Sequence, residues 1–203
     1  MQGLLLAAGT SSRFGSNKLV QRLPNGVPLA LAAARNLESA LPGLLAIVNG
    51  RDRRLIEILG GAGLRISICP VAGQGMGASL AWGVSQTVDA DGWIIALADM
   101  PFIAPATIKS VVRAVDAPDR IAAPAYKGQR GHPVAFGRAY RKDLMQLAGD
   151  RGARDMLERY AEQVIAIASL DPGILQDIDV PPQLFGQMPA KVLHWKRTCR
   201  RRR

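Results

Sequence analysis

Aromatic residues make up only 5% of this 203-residue chain, and cysteine and histidine occur twice each. Cys69 and Cys199 stand far apart and belong to no cluster, which excludes a disulfide framework and a Cys/His zinc centre. The two histidines, His132 and His194, are isolated, and no serine sits on a Gly-x-Ser-x-Gly elbow. Covalent catalysis by a nucleophile–base pair is therefore not on offer. No apolar run approaches the ~20 residues of a membrane helix, and the opening run is too short and too uncharged for a signal peptide. The expected compartment is the reducing cytoplasm, with no membrane partner.

Acids are also the minority, giving a net charge of +10. Lys191, Lys196, Arg197 and Arg200 to Arg203 supply +7 of this with no acid among them, so residues 1–190 carry only +3. The basic character belongs to a tail, which argues against nucleic acid as the main partner. One domain is expected over 1–190, followed by a basic, disordered tail over 191–203.

What is present is an alternation of apolar strands and helical patterns. Strands are expected at 3–7, 44–48, 64–69, 93–97 and 120–123, and helices at 28–40, 52–60, 76–88 and 105–115. A turn at Lys127-Gly128-Gln129-Arg130-Gly131 suggests a hairpin or a pair of late strands. Helices at 138–147 and 151–161 and a strand at 163–167 follow. The expectation is a single-domain α/β protein: a mostly parallel, twisted sheet with helices on both faces. Ligands of such sheets bind at the carboxyl ends of the strands.

The residues after the first strand form a phosphate cradle. Ala8-Gly9-Thr10-Ser11-Ser12-Arg13-Phe14-Gly15-Ser16-Asn17-Lys18 is small and hydroxylic, with glycines that let backbone N–H groups face an anion. Arg13 can fork onto phosphate oxygens and Lys18 can supply a point charge. The spacing fits neither a P-loop nor a dinucleotide fingerprint. Asp99 ends the buried strand Ile94-Ile95-Ala96-Leu97-Ala98, where a carboxylate suits either a hard cation or the cap of a helix beginning near Pro105. Asp177 and Asp179 project from one side of an extended segment, as a second acidic group for that cation or as a cap ahead of Pro181-Pro182. Pro70 to Leu80 is a glycine-rich turn leading into a helix, in which Ser79 can cap or donate to a ligand. Asp150 is expected to cap the helix after it.

Leu6 to Lys18 resembles the signature of nucleotidyltransferases related to the molybdenum cofactor cytidylyl- and guanylyltransferases. Leu97-Ala98-Asp99-Met100-Pro101, the Gly73 to Ser79 loop, Gly131-His132-Pro133-Val134, Gly149 to Arg154 and Asp177-Ile178-Asp179 match further motifs in order. The resemblance implies a Rossmann-like, GT-A-like fold. It also implies transfer of CMP from CTP to the terminal phosphate of molybdopterin cofactor, with release of pyrophosphate. By it, Arg13, Lys18 and Asp99 are catalytic, and Asp99 and Asp179 hold Mg²⁺. Leu6, Ala7, Ala8, Gly9, Ser11, Arg13, Lys18, Gly73, Gly75 and Ser79 line the nucleotide, and His132 and Arg154 the acceptor. A molybdenum hydroxylase apo-enzyme is the implied protein partner. The Ala7-Ala8-Gly9 form resembles the cytidylyl branch, whereas Val180 and Gln183 depart from its pattern. The residues leave open another base (GTP or ATP), a sugar or alcohol phosphate acceptor, and a maturation factor that binds without turnover.

Overall fold

The computed structural model describes residues 1–9 and 17–178. Its centre is an eight-stranded sheet among the described residues. The strands are β1 (Gln2–Ala7), β2 (Leu45–Asn49), β3 (Arg65–Cys69), β4 (Gly92–Leu97), β5 (Ile121–Tyr126), β6 (Gln129–Arg130), β7 (Val134–Gly137) and β8 (Val164–Ala168). Their order is β3-β2-β1-β4-β7-β5-β6, and β8 also pairs with β5. The helices are α1 (Leu29–Ala40), α2 (Arg53–Gly61), α3 (Met76–Ser85), α4 (Pro105–Ala114), α5 (Arg141–Met145) and α6 (Arg154–Arg159).

The period-2 pattern of the central strands produces the layers. Leu5 and Ala7 of β1, Ala46 and Val48 of β2, and Ile94 and Ala96 of β4 face one way, where Leu29, Leu37, Leu55, Leu59, Ile108 and Val111 of α1, α2 and α4 cover them. Leu4, Leu6, Leu45, Ile47, Trp93 and Ile95 face the other way, against Leu80 and Val84 of α3, Leu144 of α5 and Met156 of α6. Each central strand is thus apolar throughout. The alanines of α1 let that helix lie close to the sheet, with Ala30 and Ala34 fully buried.

β1, β2, β3 and β4 run parallel, with Leu6 opposite Leu97, Ala7 opposite Val48 and Asn49 opposite Cys69. Their carboxyl ends therefore share one edge. β7 enters antiparallel between β4 and β5, pairing Trp93 with Phe136 and Ile95 with Val134. Because it runs backwards, the residues just before Val134 lie at that same edge. Both members of the Trp93–Phe136 pair are fully buried, a cross-strand contact worth about 0.2–1 kcal/mol relative to an Ala–Ala pair. The Trp93 indole N–H is satisfied by Thr87 Oγ1 at 2.9 Å. Thr87 lies just past α3, which ends at Ser85 rather than at residue 88. No helix among the described residues is long and apolar enough to cross a membrane.

The last two helical patterns are shorter than their periodicity suggested. Residues 138–140 form a 3-10 turn ahead of α5, and α6 begins only at Arg154. Between them Gly149 and Gly152 take positive φ, of 66° and 56°, which helical backbone cannot accommodate. The N-cap of α6 is Ala153, with no side-chain cap bond, so Asp150 does not cap it.

Candidate active site

The cradle itself, including Ser11 and Arg13, lies outside the described residues, as do Asp179 and residues 191–203. Ahead of the cradle, Leu6, Ala7 and Ala8 are buried, so their side chains belong to the core, and Gly9 is exposed at the edge. Past the cradle, Asn17 starts a 3-10 turn (Lys18–Val20) by accepting the Leu19 amide on Oδ1 at 2.9 Å. That turn aims Lys18 back across the sheet edge, where Nζ donates to Asp99 Oδ2 at 2.9 Å.

Asp99 follows β4 by two residues, and its side chain keeps 24% exposure against 18% for Lys18. It does not cap α4. The first amide of that helix region, Ala104 N–H, donates instead to Asp171 Oδ2 at 2.8 Å, and Thr107 Oγ1 joins the same oxygen at 2.9 Å. Asp171 Oδ1 accepts from Gly173 N–H at 2.9 Å. Asp171 carried no motif, yet it ties the segment after β8 to the start of α4. From there the chain runs back over the site. Ile174 O accepts the His132 amide at 3.0 Å, and Ile178 N–H donates to Asp99 O at 3.0 Å. Residues 171–178 therefore form a strap joining the Asp99 loop to the His132 loop. This strap brings Ile178 to the Asp99 backbone.

His132 stands just before β7, at the edge that the strand reversal delivers. Its Nδ1 is buried and has no hydrogen-bond partner among the described residues. Burial pushes the imidazole pKa below its ordinary value, Asp99 opposes that shift, and Arg130 and Arg154 add to it. The charges that act on His132 thus come from three separate elements. Arg130 escaped the sequence reading, although it directly precedes the Gly131-His132-Pro133 motif.

The glycine-rich turn after β3 contains a 3-10 turn (Ala72–Gln74), with Gly73 within it. Gly75 has φ of 104°, and a Cβ there would collide with the Gly149 carbonyl. Gly77 N–H donates to Gly149 O at 2.7 Å, and a Cβ at Gly77 would sit 2.5 Å from the Ala148 oxygen. Two expected ligand loops, 70–77 and 148–154, are therefore clasped backbone to backbone. Ser79 is buried in the first turns of α3, donating from Oγ to Gly75 O at 3.2 Å. Its hydroxyl holds the loop in shape.

Residues 3–164 match the model of the MobA-like NTP transferase domain. The chain belongs to that family. It is similar to the purine catabolism protein PucB of Bacillus subtilis, at 31% identity over 194 residues, covering 89% of this chain and 92% of that protein. Among solved structures, a nucleotidyl transferase from Methanothermobacter thermautotrophicus superposes with a TM-score of 0.79 at 22% identity, covering 96% of this chain and 98% of that one. Rv0371c of Mycobacterium tuberculosis superposes with a TM-score of 0.75 at 24% identity, covering 88% and 92% respectively. A complex of Rv0371c with manganese gives 0.69 at 23% identity, covering 84% and 91%. The family makes this chain a nucleotidyltransferase, and these neighbours share its mixed, mostly parallel α/β fold.

Proposed function

We propose that this family member transfers CMP from CTP to the terminal phosphate of molybdopterin cofactor. The observation that carries the reading is the Lys18–Asp99 pair at the carboxyl edge of the parallel strands, with His132 at the same edge ahead of β7. In this reaction an oxygen of the acceptor phosphate attacks the α-phosphorus of CTP. The new P–O bond forms as the bond to the β-phosphate breaks, and pyrophosphate leaves with the electron pair. The attacking phosphate is already anionic, so no strong base is required. The protein's part is positioning and charge neutralisation.

Arg13 and Lys18 are assigned to the α-phosphate and the departing pyrophosphate. Backbone from Leu6 through Gly9, with Ser11, cradles the phosphates, and the loop of Gly73, Gly75 and Ser79 lies towards base and ribose. His132 and Arg154 face the acceptor. Asp99 fits a hard divalent cation: one carboxylate oxygen takes Lys18, the group retains further lone pairs, and its partial exposure leaves it reachable. Mg²⁺ needs only one or two carboxylates besides phosphate and water, so Asp99 with Asp179 would suffice to hold it. Bound there, Mg²⁺ supplies charge neutralisation on the phosphates. The manganese complex of Rv0371c supports a divalent site in this fold.

The Ala7-Ala8-Gly9 form supports cytosine as the base. The purine catabolism named for PucB supports a molybdenum hydroxylase of the xanthine type as the enzyme served. Residues 1–190 are assigned to the transferase domain and 191–203 to an appended basic tail. The test is pyrophosphate release with CTP, GTP or ATP, plus Mg²⁺ and molybdenum-loaded pterin, beside an Asp99→Ala control. Release with CTP alone, lost in the control, is expected. Release with another nucleotide overturns the base assignment. Nucleotide binding without any release overturns the transferase reading in favour of a maturation factor.

A further inference from the structure

The loop from Asp99 to Ala104 and the strap 171–178 lie side by side and are tied at both ends. At one end Ile178 N–H donates to Asp99 O at 3.0 Å. At the other, Ala104 N–H donates to Asp171 Oδ2 at 2.8 Å, across 67 positions of chain. Between the ties Gly173 packs so closely on the main chain that a Cβ there would collide with the Phe102 carbonyl. The pairings of 99 with 178, 102 with 173 and 104 with 171 run antiparallel. The loop that carries Asp99 is therefore backed along its length by the strap.

The strap has two kinds of attachment. Ile174 and Ile178 are buried in the core that α1, α2 and α4 cover. Apolar burial holds the strap down but is non-directional, so it does not fix the strap along its own axis. Hydrogen bonds do that, and Asp171 collects them. Its Oδ2 accepts from Thr107 Oγ1 at 2.9 Å as well as from Ala104, and its Oδ1 accepts from Gly173 N–H at 2.9 Å. Its own amide donates to Ser169 Oγ at 3.1 Å. Three donors of the fold thus occupy a carboxylate with about four acceptor positions, so Asp171 works on the fold and not on a ligand.

The start of α4 depends on the same group. Ala104 is its N-cap and makes no side-chain cap bond, and the first turn of the helix holds no acid. Asp171 supplies across space what a capping box supplies locally: an acceptor for the N-cap amide and a negative charge at the positive helix end. One carboxylate fixes where α4 begins and where the strap begins, and the Asp99 loop is suspended between them.

We propose that Asp171 is a positioning residue for the cation site: through the strap it sets the backbone of the Asp99 loop, and with it the direction of the Asp99 carboxylate. The inference rests on the reading of Asp99 as a divalent-cation ligand and deepens it. Asn36 Nδ2 also holds the loop, on Pro101 O at 2.9 Å, so loss of Asp171 misdirects Asp99 without releasing the loop.

The test is Mn²⁺ binding to the full chain without nucleotide, read by electron paramagnetic resonance and therefore independent of turnover. Asp171→Asn keeps the shape but replaces one acceptor oxygen by a donor. Thr107→Val removes one donor to Oδ2, and Thr107→Ser restores it. Thr87→Val strips the Trp93 indole of its partner at the opposite end of β4 and serves as a control destabilised away from the site. Mn²⁺ affinity is expected to fall about tenfold in Asp171→Asn, the low end for losing a group that orients a metal ligand. It should fall less in Thr107→Val, recover in Thr107→Ser and stay unchanged in Thr87→Val. In pyrophosphate release the Mg²⁺ requirement should rise in the same order. Unchanged Mn²⁺ affinity in Asp171→Asn and Thr107→Val, with binding lost in Asp99→Ala, would overturn the proposal and leave the cation reading intact. An equal loss in Thr87→Val would reduce Asp171 to a general stabiliser and overturn it as well. Absence of Mn²⁺ binding, or binding that Asp99→Ala leaves intact, would remove the cation reading and the proposal with it. Binding that depends on Asp99 and Asp171 without any pyrophosphate release would keep the proposal and remove the transferase reading. If Asp171→Asn fails to fold, the two Thr107 variants carry the same decision.

Discussion

Replacing Asp99 by asparagine separates two roles that one carboxylate performs. Asp99 and Lys18 form a net neutral pair at 2.9 Å, so Asp99→Asn raises the local charge by one without removing bulk. A triphosphate arriving without metal then loses one repulsion. For a carboxylate about 6 Å from the phosphate charge, with an effective dielectric near 40 for a partly exposed pair, that repulsion is about 1.4 kcal/mol. In the presence of EDTA, Asp99→Asn should therefore bind CTP about tenfold more tightly than the wild type. With Mg²⁺ the order reverses, because the ligand that recruits the cation is gone. Pyrophosphate release should fall by roughly a hundredfold or more, the scale of losing one preorganised charge stabiliser. Calorimetry of CTP binding with and without Mg²⁺, beside the release assay, reads all three effects. Weaker CTP binding by Asp99→Asn in EDTA would refute the reasoning, since it would make Asp99 an element of nucleotide recognition instead of a cation ligand.

Gly77→Ala forces a methyl against the Ala148 oxygen and should lower stability by about 1–3 kcal/mol while weakening CTP and acceptor binding together; an effect on one ligand alone would show that the two loops act separately. His132 has a depressed pKa in the fold because of burial, so below about pH 6.5 the unfolded chain takes up a proton that the folded chain resists. Stability should therefore be fully present above that pH and fall as pH drops towards the folded value, at up to about 1.4 kcal/mol per pH unit, and His132→Gln should flatten this part of the profile in urea melts. An identical slope in wild type and variant would deny His132 that role.

The layered fold was legible because its signal is local. The apolar runs at 3–7, 44–48, 64–69 and 93–97 coincide with β1 to β4 to within a residue or so at each end, and the helical patterns between them hold. The insertion of β7 beside β4 was not legible, although the turn at 127–131 suggests a hairpin and β5 and β7 do pair antiparallel. Three apolar residues after Pro133, Val134 to Phe136, do not tell which strand they join, whereas the reversal is marked by the turn at Lys127 and Gly128, whose φ values are 51° and 79°. The same limit hid what lies across space. Nothing near Asp171 in the chain signals that it serves Ala104 and Thr107, and nothing near Asp150 signals that its carboxylate packs beside Gly75. Asp99 and Lys18 could each be singled out by type and place, and the 3-10 turn after Asn17 is what joins them.

The backbone interlock between Gly75-Met76-Gly77 and residues 148–152 bears on how this scaffold can diversify. Met76 lies against Gly152, and both glycines of the first loop touch the main chain of the second. Neither loop can be lengthened or exchanged alone without a collision in its counterpart. On the proposed assignment of these loops to base and acceptor, the two preferences are coupled, and grafting experiments should transplant 70–79 and 147–154 as a pair.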